Sequence, residues 1–186
     1  MQWVKANDAV YVAKSEIISV NCNDVMMLKE KVGNCPDKRI RICTHQTSDD
    51  RLHEMMIAIT QDSYVRPHKH LSKSESFHLI EGLIDVIIFN DEGEITEVVS
   101  MGNFSSGESF FYRLAAPYFH TLLLRTDIAV FHETTNGPLL KGDTVYPSWS
   151  PSPTDLVGIK NFTSYLIGSV AIYKRKNNTF KRKDGQ

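Results

Sequence analysis

His68-Lys69-His70-Leu71-Ser72-Lys73-Ser74-Glu75, closed by Gly82, is the stretch that decides how this chain is read. Two imidazoles stand two residues apart, and a carboxylate follows five residues later. On a strand, residues i and i+2 share a face, so His68 and His70 converge while Lys69 turns away. A turn over 71–74 lets the next strand bring Glu75 back over the same point. Imidazole and carboxylate donors suit zinc, iron, manganese, nickel or copper. A fourth donor is needed, and His120 is the natural candidate. An isolated HxH pair is more often two surface histidines than a metal site. The full spacing HxH-x4-E-x6-G, set between strand-like runs, favours the metal.

Bulk properties narrow the class. A chain of 186 residues is long enough for one domain with a sizeable core. Its formal net charge of -1 gives no global field toward nucleic acid or an acidic membrane. Cys22, Cys35 and Cys43 cannot all pair and form no CxxC, so reduced thiols and a cytoplasmic location are expected. The first residues lack a basic segment followed by an apolar one, so no signal peptide is expected. No apolar run approaches the roughly 20 residues needed to span a bilayer.

Three regions follow from the patterning. Residues 1–38 read as an N-terminal appendage: an extended segment over Ala9–Val20, then a short amphipathic helix over Asp24–Val32 with Asn23 as its cap, ended by Gly33 and Pro36. Residues 39–153 read as short strands. Arg39–Cys43 alternates with period two, and Leu52–Thr60 reads as mostly buried. Tyr64–His70 contains Pro67, which favours an edge or bulge. Ser76–Ile80, Leu83–Asn90, Glu94–Ser100, Glu108–Leu114, His120–Leu124 and Ile128–Glu133 complete the set, with a hairpin signal at Asn90-Asp-Glu-Gly93. Short strands with a turn every 8 to 12 residues predict an all-β antiparallel sandwich or jelly-roll barrel. Residues 154–186 read as an irregular C-terminal extension with a basic tail at Lys181-Arg182-Lys183, taken as a solvated terminus.

These residues resemble the cupins, whose first motif is G-x5-H-x-H-x3,4-E-x6-G. More narrowly, Tyr64-Val-Arg-Pro-His-Lys-His70, Phe89-Asn-Asp-Glu-Gly93, Arg39-x-Arg41-x-x-x-His45, Gly137-Pro138 and Pro147-x-Trp149-x-Pro151 resemble the WbuC-like cupin-fold metalloproteins. The resemblance covers about residues 39–153. It implies a double-stranded β-helix holding one divalent ion, of zinc, iron, manganese or nickel, through His68, His70, Glu75 and His120. It also implies a setting in bacterial surface polysaccharide synthesis, such as O-antigen or capsule. Two positions depart from the pattern. Asp62 stands where the first motif has its glycine, and Ala115, Pro117 and His120 replace the usual P-x-G-x-x-H.

A three-His, one-carboxylate site leaves coordination positions open for a substrate oxygen. Sugar isomerase or epimerase chemistry fits such a site; a non-catalytic sugar-binding cupin and an O2-using dioxygenase are the alternatives. Around the site, Arg39 and Arg41 share one strand face and, with Arg66, are candidate substrate-binding groups; each equally suits a solvated surface. Tyr64 and His45 are candidate proton-transfer residues. His78 falls out of phase with Glu75 and is expected to point away. Phe77, Phe89, Phe110 and Phe131 are expected in the core, and Trp149 over the cavity mouth or a dimer seam. The expected partners are a sugar or nucleotide-sugar and a second copy of the chain, with no nucleic acid.

Overall fold

The computed structural model describes residues 3–140 and 142–183, with side chains described through Asn177. The side chains of Lys181-Arg182-Lys183, and so the expected basic tail, lie outside the described residues.

Two antiparallel sheets enclose the main core. The larger has seven strands in the order β1 (Trp3–Asn7), β2 (Val10–Ala13), β3 (Arg39–Cys43), β4 (Leu52–Thr60), β11 (Ile128–Asn136), β6 (Glu75–Glu81) and β9 (Phe111–Leu114). Only β2 and β3 run parallel among these neighbours. The smaller sheet is β10 (Phe119–Leu124), β7 (Leu83–Phe89) and β8 (Ile95–Gly102). A two-stranded ribbon pairs β5 (Lys69–His70) with β12 (Thr144–Val145). This is the all-β two-sheet jelly-roll arrangement expected from the sequence.

Alternation along the strands fills the interior. Ile57, Ile59, Phe77, Leu79 and Phe131 of the large sheet pack against Ile84, Val86, Ile88, Met101 and Leu122 of the small one. Gly82 makes the tight β6–β7 link at φ +88°, where a Cβ would lie 2.5 Å from the Ile128 carbonyl oxygen. Both sheets are also covered outside, which is why β7 reads as a nearly unbroken apolar run. Helix α1 (Cys22–Val32) lays Leu28 and Val32 on Ile40, Ile42, Ala58 and Val130 of the large sheet. The N-terminal segment is thus built into the large sheet and its outer layer. The cap of α1 is Asn21 rather than the expected Asn23. Asn21 Oδ1 accepts from the Asn23 backbone N–H at 2.9 Å, and the Asn21 N–H donates to Asp24 at 3.0 Å.

The C-terminal extension is not irregular. Leu156–Lys183 forms one helix, α2. Its Phe162, Leu166 and Val170, four residues apart, fall on one face and pack against Ile87, Phe89 and Phe119 on the outside of the small sheet. Its glycines, serines and β-branched residues weaken the helical signal; packing onto that sheet decides the outcome. Asp85, 3% exposed on the same face of β7, fixes the helix electrostatically. It accepts from Ser100 Oγ at 2.8 Å and from Lys174 Nζ at 2.7 Å, and lies 3.2 Å from Arg125 Nε.

Asp85→Ala leaves Lys174 and Arg125 without their buried counter-charge. The expected loss is about 3 kcal/mol in urea unfolding; an unchanged midpoint would show that α2 does not depend on this pair.

Candidate metal centre and its cavity

The two sheets and the ribbon each contribute to one cluster. Glu75 opens β6 in the large sheet, His120 lies on β10 in the small sheet, and His70 sits in β5 of the ribbon. His68 precedes β5 and bridges to His120 by reciprocal backbone bonds of 3.1 and 2.9 Å. The expected strand over Tyr64–His70 is mostly irregular, with pairing only at its end; Pro67 has no N–H to give a ladder. One donor atom from each of His68, His70, Glu75 and His120 lies within 4.8 Å of all the others. The four residues singled out as ligands are therefore brought together.

The ring nitrogens facing away are held. His68 Nδ1 lies 2.9 Å from the Arg66 carbonyl oxygen and His120 Nδ1 lies 3.0 Å from that of Tyr118. A carbonyl only accepts, so each Nδ1 carries the proton and each neutral Nε2 presents a lone pair to the cluster. His70 Nδ1 lies 3.1 Å from Thr144 Oγ1, its cross-strand neighbour on β12. Asp143 beside it accepts from the Ser72 backbone N–H at 3.1 Å and from the Ser72 hydroxyl, which fixes the turn delivering Glu75. Asp143 and Thr144 are about 70 residues from the motif they brace, so nothing near the motif announces them.

Glu75 and His120 are 4% and 2% exposed. Glu75 Oε1 lies 2.9 Å from His120 Nε2, but the contact lacks hydrogen-bond geometry and both atoms remain without a partner. Glu75 Oε2 is 3.6 Å from His70 Nε2. Burial opposes charge on Glu75, yet His120, then His70 and His68, outweigh it and hold its carboxyl well below the usual carboxylate range. Burial also opposes charge on His120, and Glu75 outweighs it, raising that imidazole. His68 is pushed down to about 4, first by burial and then by His120. A lone-pair nitrogen facing a carboxylate is repulsive unless a cation lies between them. A proton serves one such contact; a divalent ion serves all four donors, so the residues present fit a metal.

The cluster lines a cavity of about 730 Å³, within the usual range for small-molecule sites. His45, Tyr64, Arg66, Arg39 and Arg41 also line it. Their states differ. His45 stacks on His53 with ring centres 4.2 Å apart, and burial, then His53, lowers its pKa. His53 shares a cross-strand row with Thr135 and Glu75, so the stacked pair lies level with the carboxylate ligand. The Tyr64 hydroxyl donates to the Pro151 carbonyl oxygen at 3.1 Å, and burial pushes its pKa to about 12. Arg66 donates to Ser150 Oγ at 3.0 Å and to the Ser150 carbonyl oxygen at 3.3 Å, and lies 4.8 Å over the Tyr146 ring. Tyr64 and Arg66 thus hold residues 146–151 against the cavity rim. The side chains of Arg39 and Arg41 form no hydrogen bond or ion pair among the described residues.

Trp149 does not lid the mouth. Its indole lies against Phe89 and Phe119 on the outer face of the small sheet, and its Nε1–H donates to the Asp91 carbonyl oxygen at 3.0 Å. A Cβ on Gly93, at φ +88°, would come within 2.9 Å of that ring. The two motifs Phe89–Gly93 and Pro147–Pro151 thus meet as one packing unit, and Tyr146 is the aromatic at the rim, 6.2 Å from His68. His78 is exposed and outward, as its phase predicts. Phe77, Phe89 and Phe131 are core residues, whereas Phe110 is 38% exposed and packs on His78 and Phe104 outside.

Glu133, on β11, is a cavity residue that nothing in its local sequence marks out. It faces the cavity, while His132 points outward, 3.5 Å from Glu54. Burial, then the charge of Glu75, raises the Glu133 carboxyl to about 8; Arg41, His120 and Arg39 oppose the shift.

A family model described as a domain of unknown function matches residues 20–101, which include His68, His70 and Glu75. No curated protein matches the chain. Among solved structures, a protein from Shewanella oneidensis aligns at TM-score 0.46 and 11% identity over 57% of this chain and 68% of its own. An oxalate decarboxylase from Bacillus subtilis aligns at TM-score 0.42 and 15% identity, over 52% of this chain and 24% of its own. An oxalate oxidase solved with the substrate analogue glycolate aligns at TM-score 0.40 and 13% identity, over 51% of this chain and 45% of its own. The chain therefore spans about a quarter of the decarboxylase. Among the described residues, this chain's His–His–Glu–His cluster could hold a metal ion. No helix among the described residues is long and apolar enough to cross a membrane.

Two outcomes follow for solution work. Alanine at His68 or His70 removes a donor and strips the metal found in the wild-type protein by elemental analysis; full metal content in either variant overturns the ligand set. In metal-free protein, burial and then Glu75 raise the Glu133 carboxyl from its ordinary 4.5 to about 8, so folding stability falls as pH rises through that window. Glu133→Gln is expected to match wild type in melting temperature near pH 4.5 and to exceed it increasingly toward pH 8.

Proposed function

We propose that the protein is a metal-dependent sugar isomerase or epimerase, acting on a sugar or nucleotide-sugar in bacterial surface polysaccharide synthesis. The reading places it in the cytoplasm as a homodimer. The observation that carries the chemistry is the set of four converging donors on the wall of a cavity large enough for such a ligand. A divalent ion bound there supplies Lewis acidity toward a substrate oxygen. The polysaccharide setting is supported by the WbuC-like motifs.

His45 is the residue suited to move a proton. It lines the cavity, and its lowered pKa keeps the imidazole neutral and basic near pH 7. Its Nδ1 lies 3.2 Å from the Glu54 backbone, and the parallel His53 ring fixes its plane. Tyr64, with its hydroxyl engaged and its pKa raised, is a poor acid at neutral pH. Together with Arg66 it positions the rim segment that carries Tyr146 and limits entry of water.

Incubation of a nucleotide-sugar panel with metal-replete protein in D2O is expected to incorporate deuterium at a sugar carbon. His45→Ala should slow this about 100-fold with metal content unchanged. Absence of exchange across the panel sinks the isomerase reading.

A further inference from the structure

We propose that Arg39 and Arg41 form a phosphate subsite, so that the ligand of this cavity is a phosphorylated sugar, either a sugar phosphate or a nucleoside-diphosphate sugar. This rests on the preceding reading only for where the sugar itself lies.

The two arginines alternate on β3 with the buried Ile40 and Ile42. Their cross-strand partners are Ile57 and Ile59, which face the interior between the sheets. Both arginines therefore stand on the inner face, where they line the cavity and are exposed. Among the described residues neither guanidinium has an ion-pair partner, and Glu133 acts on them only through the field across the cavity. The acids that share the cavity are Asp37, Glu75 and Glu133, and none forms an ion pair with either guanidinium. Arg66 and Arg125, by contrast, are fully committed to partners. Two like charges on one strand face repel, and each guanidinium offers a fork of donors suited to oxyanions.

Spacing favours phosphate over carboxylate. Residues i and i+2 on a strand lie about 7 Å apart, so both forks can grip a dianion or the two halves of a diphosphate. One carboxylate is satisfied by a single fork. The position also sets the ligand's length. From β3 to β6 is three strand spacings, about 14 Å along the sheet. Leu79, level with Arg41 through Ile57 and Phe131, lies four residues beyond Glu75, about 13 Å along the strand. With side chains reaching inward from both ends, a sugar carrying a phosphate can join the ligand cluster to the arginines. A two-carbon diacid cannot.

The test is calorimetry on the full chain with UDP-glucose, glucose 1-phosphate and glucuronate, comparing wild type with R39A/R41A. Both arginines are exposed and unpaired, so the double variant should keep its fold and metal; circular dichroism and elemental analysis check this. The expected result is that a phosphorylated probe binds wild type and loses at least about tenfold in affinity in the variant, while glucuronate binds no better than the variant allows. Tighter UDP-glucose binding identifies the nucleotide-sugar as the source, and equal binding the sugar phosphate. No binding of either phosphorylated probe, variant affinity within about twofold of wild type, or equal arginine-dependent binding of glucuronate overturns the proposal. Protein that carries no metal yet binds phosphate through the arginines refutes the metal-centre reading alone. Metal-replete protein with arginine-independent binding refutes this one alone.

Discussion

Glu75 Oε1 and His120 Nε2 meet inside the protein at 2.9 Å, on residues almost wholly shielded from water, and neither of these two atoms is hydrogen-bonded. Bringing an anionic oxygen against a lone-pair nitrogen in a buried setting is unfavourable, and positive charge between them relieves it. His68 and His70 complete the set, with their outward nitrogens already taken by the Arg66 carbonyl and Thr144. The Arg66 carbonyl thus leaves the His68 Nε2 lone pair facing the cluster, as metal coordination needs.

The sandwich exists to hold those four atoms in register. Glu75 comes from one sheet and His120 from the other, so the distance between the sheets sets the width of the cluster. That distance is fixed by the interdigitated core of Ile57, Phe77 and Phe131 against Ile84, Val86 and Leu122. The outer layers stiffen it from both sides: α1 over the large sheet, and α2, with its Lys174–Asp85 pair, over the small one. Trp149 performs a similar service for the rim. Packed beside Gly93, it anchors the segment that carries Tyr146 and that Tyr64 and Arg66 tie down.

Much of this was readable along the chain. Period two in Arg39–Cys43 marked β3 and put both arginines on one face. The HxH-x4-E spacing marked three of the donors because strand alternation and one turn suffice to converge them. His120 was within reach because a lone histidine at the start of an apolar strand stands out. The failures have a common cause. Helix α2, the exposure of Phe110, the placement of Trp149 and the irregular path of residues 64–67 all depend on what lies opposite in space. Local propensity in α2 is weak, and only the apolar outer face of β7 and β10 makes its stripe worth burying.

The sequence by itself determined the short-strand architecture and the donor set, since both follow from periodicities of two and from side-chain chemistry. Tertiary structure alone decided what shares the cavity with those donors. Glu133 turns in rather than His132 because pairing of β11 with β4 and β6 fixes the register. Asp143 and Thr144 reach the ligand turn only through the β5–β12 ribbon. Arg39 and Arg41 line a cavity because β3 pairs with β4 and shares its inner face. Strand phase can be counted along a chain, but which face is covered depends on contacts between residues far apart in it.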